Sequence, residues 1–150
     1  MGAREGLELG HRVYTGGTFD CFHAGHANFL RQCRALAGVD GEVVVSLNTD
    51  RFITEYKGQP PIINYEDRRA VLEACRYVDQ VVRNRGGRDS TLAILDVRPN
   101  IVAIDTGWAF KDYYAQMSFT QEWLDEHQIT LVYLPRLEGI STTQIRERLA

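Results

Sequence analysis

His23 and His26 stand three residues apart in the stretch Tyr14-Thr15-Gly16-Gly17-Thr18-Phe19-Asp20-Cys21-Phe22-His23-Ala24-Gly25-His26. Arg12-Val13-Tyr14 at its start is β-prone. Ala27 to Ala37 after it repeats Phe29, Leu30, Cys33, Leu36 and Ala37 at helical spacing. The stretch therefore reads as a strand-to-helix turn, in which Gly16 and Gly17 allow positive φ and close approach of a ligand to the backbone. Histidines at i and i+3 project from one helix face. A helix start offers free N–H groups and a positive dipole end, which suits a phosphate. Two imidazoles beside it add donors for a developing phosphoryl charge. Two other readings compete: a tight turn carrying surface histidines, and a metal set of Asp20, Cys21, His23 and His26. Zinc helices usually space their histidines at i and i+4, and no third ligand set follows, which disfavours the metal.

A second stretch repeats the theme near the other end of the chain: Leu134-Pro135-Arg136-Leu137-Glu138-Gly139-Ile140-Ser141-Thr142-Thr143. An arginine, a glycine and three hydroxyls precede a helix that closes on Arg146, Glu147 and Arg148. Ser141 or Thr142 serves as an ordinary N-cap on any reading. A hydroxyl-rich helix start beside Arg136 can also hold the outer phosphates of a nucleotide.

The elements that must position these residues follow from pattern. Val43-Val44-Val45-Ser46-Leu47 is a strand buried on both faces. Asn48 to Tyr56 is a short helix opening on Asn48, Thr49 and Asp50. Lys57-Gly58-Gln59-Pro60-Pro61 is a loop, because each proline excludes the α region before it. Tyr65 to Arg76 is helical, with Ala70, Val71, Leu72, Ala74 and Cys75 on its apolar side. Val78 to Val82 is a strand; Arg83 to Asp89 connects it to a helix over Ser90 to Leu95. Ile101 to Ile104 is a strand that ends on Asp105-Thr106-Gly107-Trp108, and Lys111 to His127 is mostly helical. Ile129 to Leu134 is the last strand, and a helix runs from Ser141 through Leu149. Alternating strands and helices predict an α/β fold: a doubly wound, Rossmann-like parallel sheet of about five strands, with ligands beyond the strands' carboxyl ends. Neither G-x-G-x-x-G nor G-x-x-x-x-G-K-[ST] occurs.

Bulk properties narrow the class. At 150 residues the chain reads as one domain with a real core, residues 1–10 forming a flexible extension. A net charge of -3 leaves no footprint for nucleic acid or an anionic membrane. Cys21, Cys33 and Cys75 are odd in number and lack C-x-x-C spacing, so they read as reduced thiols of a cytoplasmic protein.

Gly17-Thr18-Phe19-Asp20, two residues, then His23-Ala24-Gly25-His26 resembles the signature of the cytidylyltransferase-like nucleotidyltransferases. Together with Arg136 and Gly139 to Thr143, it resembles the glycerol-3-phosphate cytidylyltransferase family from about Val13 to Leu149. The length of the paired signature favours the phosphate reading of both stretches. The resemblance implies transfer of CMP from CTP to a small phosphorylated alcohol such as glycerol 3-phosphate, with pyrophosphate leaving and magnesium accompanying the triphosphate. It implies catalytic roles for His23, His26, Lys57 and Arg136. It places Gly16, Gly17, Thr18, Phe19, Asp20, Arg68, Asp105, Thr106, Trp108, Gly139, Ile140, Ser141, Thr142 and Thr143 around the nucleotide. It also implies a homodimer through the region of Arg76-Tyr77-Val78-Asp79. Cys21 is read as a small residue of the turn.

Three departures matter. Thr106 and Gly107 replace two acidic positions of that family, and Leu137 replaces a common threonine. Phe110 to Trp123 has no clear match, so the acceptor pocket differs. Lys57-Gly58 before Pro61-Ile62 also resembles the sugar-phosphate adenylyltransferases, which keeps ATP as an alternative. A module that binds nucleotide without turnover is the other alternative.

Overall fold

The structure, a computed structural model, describes residues 10–107 and 113–150, with the backbone alone at Tyr113. Trp108 and the expected extension, Gly10 excepted, lie outside the described residues. Among the described residues five strands form one parallel sheet: β1 (Arg12–Gly17), β2 (Glu42–Leu47), β3 (Gln80–Arg83), β4 (Ile101–Asp105) and β5 (Thr130–Leu134). Their order is β3-β2-β1-β4-β5. The helices are α1 (Ala24–Ala37), α2 (Asp50–Lys57), α3 (Tyr65–Ala74), α4 (Thr91–Val97), α5 (Tyr113–Met117), α6 (Gln121–Glu126) and α7 (Thr142–Leu149). This is the Rossmann-like α/β sheet expected.

Strand side chains alternate between two buried faces. Val13, Val43 and Ala103 pack with Cys33 and Ala37 of α1, and Val45, Leu47 and Val81 pack with Leu30 and Leu72. Tyr14, Val44, Val102 and Ile104 pack on the other face with Ala93, Ile94, Phe119 and Leu124. Leu30, Leu72, Ile94 and Leu124 are fully buried, each contributing about 1.5–3 kcal/mol of transfer free energy. The strand order reverses between β1 and β4, where such sheets open a crevice. Here β1 pairs with β4 only at Val13↔Ile101 and Tyr14↔Val102. It stays paired with β2 to Gly17↔Leu47. The sheet is therefore split along the β1–β4 seam just where the histidine stretch begins.

Four local expectations change. Gly16 and Gly17 are strand residues; the left-handed conformations fall on Phe19 (φ 50) and Cys21 (φ 52). Gly17 instead makes room for the Phe19 ring, which a Cβ would meet at 2.9 Å. Helix α1 starts at Ala24, because His23 caps it. The segment 111–127 is not continuous: Ser118 turns left-handed (φ 63), Phe119 enters the core, and Thr120 caps a new helix. Helix α3 stops at Ala74 and turns Ala70, Val71 and Ala74 outward; its buried stripe is Tyr65, Arg68 and Leu72. An arginine occupies a core position there because four acceptors await it.

Candidate active site

A cavity of about 650 Å³ lies over the carboxyl ends of the strands. Strand β1 and its loop bring Gly16, Gly17, Thr18, Phe19 and Asp20 to it. Helices α1 and α2 bring His23, His26 and Lys57, and β4 brings Asp105. The approach to α7 brings Arg136, Ile140, Ser141, Thr142 and Thr143. Residues far apart in sequence thus converge on one crevice. Arg68, Thr106 and Gly139 do not line it.

The two histidines build the start of α1. His23 is the N-cap, and its Nδ1 accepts from the Gly25 N–H at 3.0 Å. His26, at the third helical position, returns the bond: its Nδ1 accepts from the His23 N–H at 3.2 Å. This is a capping box made of imidazoles. Gly25 is required because a Cβ there would meet the His23 ring at 2.8 Å. The rings stack at 3.8 Å with an interplanar angle of 24°. Since each Nδ1 accepts from the backbone, each ring carries its proton on Nε2. His23 Nε2 lies 3.4 Å from Thr142 Oγ1, whose own proton goes to the Asp20 carbonyl at 3.0 Å. The pair therefore presents N–H donors beside the start of α7, where Ser141 caps through the Gln144 N–H. Neither α1 nor α7 has an acid in its first turn, a condition shared with α4 and α5 but not with α2, α3 and α6. Both positive helix ends are left for an anion.

The electrostatics agree. Burial holds the His23 imidazolium down, and Arg136 lowers it further. His26 is pushed down to about 4 by burial and by His23, with Asp20 opposing. Lys57 is lowered by partial burial and by Arg146, again opposed by Asp20. The Cys21 thiol is raised by burial and by Asp20, which keeps it protonated and a poor nucleophile. The His26 shift makes stability depend on pH. Between about 4 and the unfolded value of 6.5, the unfolded chain binds the extra proton, so stability rises with pH across that window. Acidification from pH 7 to 4 is expected to remove about 3 kcal/mol through this group. Denaturant titrations of wild type and His26→Gln at both pH values check this; the variant should lack that component.

Asp20, 4% exposed, is a clasp: Oδ1 accepts from Ile63 N–H at 2.9 Å, and Oδ2 from Ile62 N–H at 2.8 Å and Arg146 at 3.1 Å. It fastens the loop after α2 and helix α7 to the β1 turn. Arg68, 2% exposed, lies beneath the site. It donates to the carbonyls of Ile63, Thr18 and Asn48 and to Asp50 Oδ1, at 2.6–3.0 Å. The nucleotide contact expected of Arg68 is thus not what its geometry offers, since those bonds use four of its five donors. Gly107 lies close to two movable side-chain ends: a Cβ there would meet Asp105 Oδ1 at 2.8 Å and Arg136 Nη1 at 2.9 Å. Arg136 lies where that side chain would be.

Of the two carboxylates lining the cavity, Asp20 is committed to its clasp and Asp105 Oδ1 accepts from the Gly107 N–H at 2.7 Å. Among the described residues no three His, Cys, Asp or Glu side chains group to hold a metal. A magnesium ion carried on a triphosphate's own oxygens would fit this donor set better than one held in a protein cage, and Asp105 is the lining carboxylate outside the Asp20 clasp that could assist in holding it. Sequence reasoning missed Arg146 and Asn84. Arg146 follows Thr142 at i+4, so helical spacing places it on the same face. Asn84 follows β3, and the rule that ligands gather at strand ends points to it.

Comparison with known proteins agrees with this geometry. The family model described as cytidylyltransferase-like matches residues 14–148. The FAD synthase of Korarchaeum cryptofilum is 35% identical over 144 residues, covering 95% of this chain and 93% of that protein. The glycerol-3-phosphate cytidylyltransferase of Bacillus subtilis is 34% identical over 139 residues, covering 93% and 97%. In three dimensions a lipopolysaccharide core biosynthesis protein from Thermoplasma volcanium shares the fold with a TM-score of 0.67 at 24% identity, over 87% of this chain and 100% of that one. The imidazole capping box and the bare start of α7 both fall within the matched residues, and the chain belongs to the cytidylyltransferase-like nucleotidyltransferases.

Proposed function

We propose that this chain transfers CMP from CTP to the phosphate of a small phosphorylated alcohol, glycerol 3-phosphate being the first choice. An acceptor phosphate oxygen bonds to the α-phosphorus as the bond from that phosphorus to the bridging oxygen breaks, and the electron pair leaves with pyrophosphate. Positioning and charge stabilisation suffice for such a step. The observation that carries this reading is the stacked histidine pair, whose ring protons are fixed on Nε2 by the start of α1. His23 and His26 donate to the transferring phosphate and the leaving oxygen. Lys57 and Arg136 neutralise the remaining anionic oxygens. Ser141, Thr142 and Thr143 offer the start of α7 to the outer phosphates. Gly16, Gly17, Thr18 and Phe19 line the nucleotide's approach, and Asp20 and Arg68 act as positioning residues. Magnesium bound to the triphosphate supplies further neutralisation of its charge. Asp105 and Ile140 complete the proposed nucleotide surroundings among the lining residues, and Trp108 is proposed there from the family resemblance alone.

Adenylyl transfer is the second reading. It is supported by FAD synthases at 35% identity, level with the cytidylyltransferases, and by Thr106 and Gly107, which offer no carboxylate to an exocyclic amine. Pyrophosphate release is the test, with CTP and ATP offered at equal concentration against glycerol 3-phosphate, sugar phosphates and FMN. Cytidylyl product in at least tenfold excess is expected; predominance of adenylyl product overturns the base assignment and leaves the reaction class standing. Dimerisation through Arg76 to Asp79 is part of the same proposal. Asp79 is already engaged within the chain, accepting from Arg34 at 2.6 Å and from the Val43 N–H at 2.7 Å. Tyr77 and Val78 pack against the core, which leaves the exposed Arg76 to face a partner. Sedimentation showing a fully active monomer at micromolar concentration removes the dimer.

A further inference from the structure

The cavity has two sides about the histidine stretch. On the β4–β5 side stand Asp105, Arg136 and the start of α7; on the β2–β3 side stand Asn48, Phe52, Asn84 and Arg88. The anion donors supplied by α7 and Arg136 draw the triphosphate toward the first side. In-line displacement brings the acceptor from the side opposite the leaving group, hence from the β2–β3 side.

Asn84 is 8% exposed and lines that side. Its Nδ2 donates to Asn48 Oδ1 at 2.9 Å and to the Gly87 carbonyl at 3.0 Å. Because a backbone carbonyl can only accept, Gly87 fixes which end of the amide is the nitrogen. Asn48 is braced in turn by donating to Thr18 Oγ1 at 3.2 Å. The other end of the amide, Asn84 Oδ1, has no hydrogen-bond partner among the described residues. Two other buried side-chain oxygens lack a partner of ordinary hydrogen-bond geometry, Ser46 Oγ beside Tyr14 and Tyr65 OH beside Arg69, but neither residue lines the cavity. That oxygen is itself buried in the cavity wall, and an unpaired acceptor held there discriminates strongly, since a ligand that opens the wall without the matching donor leaves it unpaired.

We propose that Asn84 Oδ1 determines acceptor specificity by taking a hydrogen bond from a hydroxyl of the phosphorylated alcohol. The inference rests on the proposed function for the identity of the acceptor class, but its test does not need turnover. Calorimetric titrations would compare glycerol 3-phosphate with propyl phosphate, which lacks both hydroxyls, in wild type, Asn84→Ala and Asn84→Asp. Wild type is expected to prefer glycerol 3-phosphate by roughly tenfold to a hundredfold. Asn84→Ala should lose that preference with CTP affinity unchanged. Asn84→Asp keeps an acceptor oxygen but gives up both donations, to Asn48 and to Gly87, so it should retain only part of the preference while binding both phosphates more weakly. No preference in wild type, or an undiminished one in Asn84→Ala, overturns the proposal. So does loss of CTP affinity in both variants, which would make Asn84 a brace for the loop at Gly87 and nothing more. Pyrophosphate release, measured separately, reports on the reaction itself: its absence alongside an Asn84-dependent preference sinks the reaction and supports the subsite.

Discussion

His26→Ala is expected to lower turnover by about a hundredfold or more while nucleotide affinity falls much less. The ring sits where the helix start fixes its proton on Nε2, so no reorganisation is needed as charge grows on the transferring phosphate. A donor of that kind contributes more to the transition state than to the ground state, which places the loss in kcat. With a value near 4, the ring is neutral at physiological pH, so the contribution is a hydrogen bond and not a full ion pair. Removing the ring also deprives the His23 N–H of its acceptor, which costs about 1 kcal/mol of stability, too little to unfold the domain. Single-turnover rates beside nucleotide titrations decide the matter; a wild-type rate in the variant removes His26 from the chemistry.

Arg68→Ala is expected to lose about 3–5 kcal/mol of stability, and some 10 °C in melting temperature. The guanidinium is 2% exposed and serves the carbonyls of Ile63, Thr18 and Asn48 together with Asp50. Those three carbonyls belong to the α2–α3 loop, the β1 turn and the end of β2. Truncation leaves all three without this donor and Asp50 without its cation. Arg68→Lys should recover only part of the loss, because one ammonium cannot span a fork of four acceptors. Thermal unfolding of the two variants checks this, and a melting point within 2 °C of wild type for Arg68→Ala would falsify the bridging role.

The same arginine shows where the sequence stopped being legible. Strand runs such as Val43 to Leu47 and the helix through Leu30 and Cys33 carry their own periodicity, and the fold follows from them. Histidines, arginine and hydroxyls after strand ends converge on one cavity because the sheet is parallel, so their meeting was readable without coordinates. Arg68 was not. Its spacing with Tyr65 and Leu72 marks the buried face of α3, but nothing local says that loop carbonyls will meet it there. Helices α5 and α6 were read as one because Ser118 takes a left-handed conformation that no glycine announces. Gly107 looked like a missing acid, and nothing in the sequence signals that the Arg136 guanidinium, 29 positions along the chain, lies against it.

Helices α1 and α7 begin without an acid, and Lys57 and Arg136 share the cavity with those two positive ends, Arg146 being paired with Asp20. The empty protein therefore stores unfavourable charge that an anion relieves, and relief in the folded state alone is linkage. Nucleotide at a hundred times its dissociation constant adds about 2.7 kcal/mol to folding. Within a cell, where the unfolded fraction is continuously cleared, that increment couples the protein's lifetime to its substrate supply. The charge arrangement that suits the site to a nucleotide is therefore expected to make folding stability rise with nucleotide concentration.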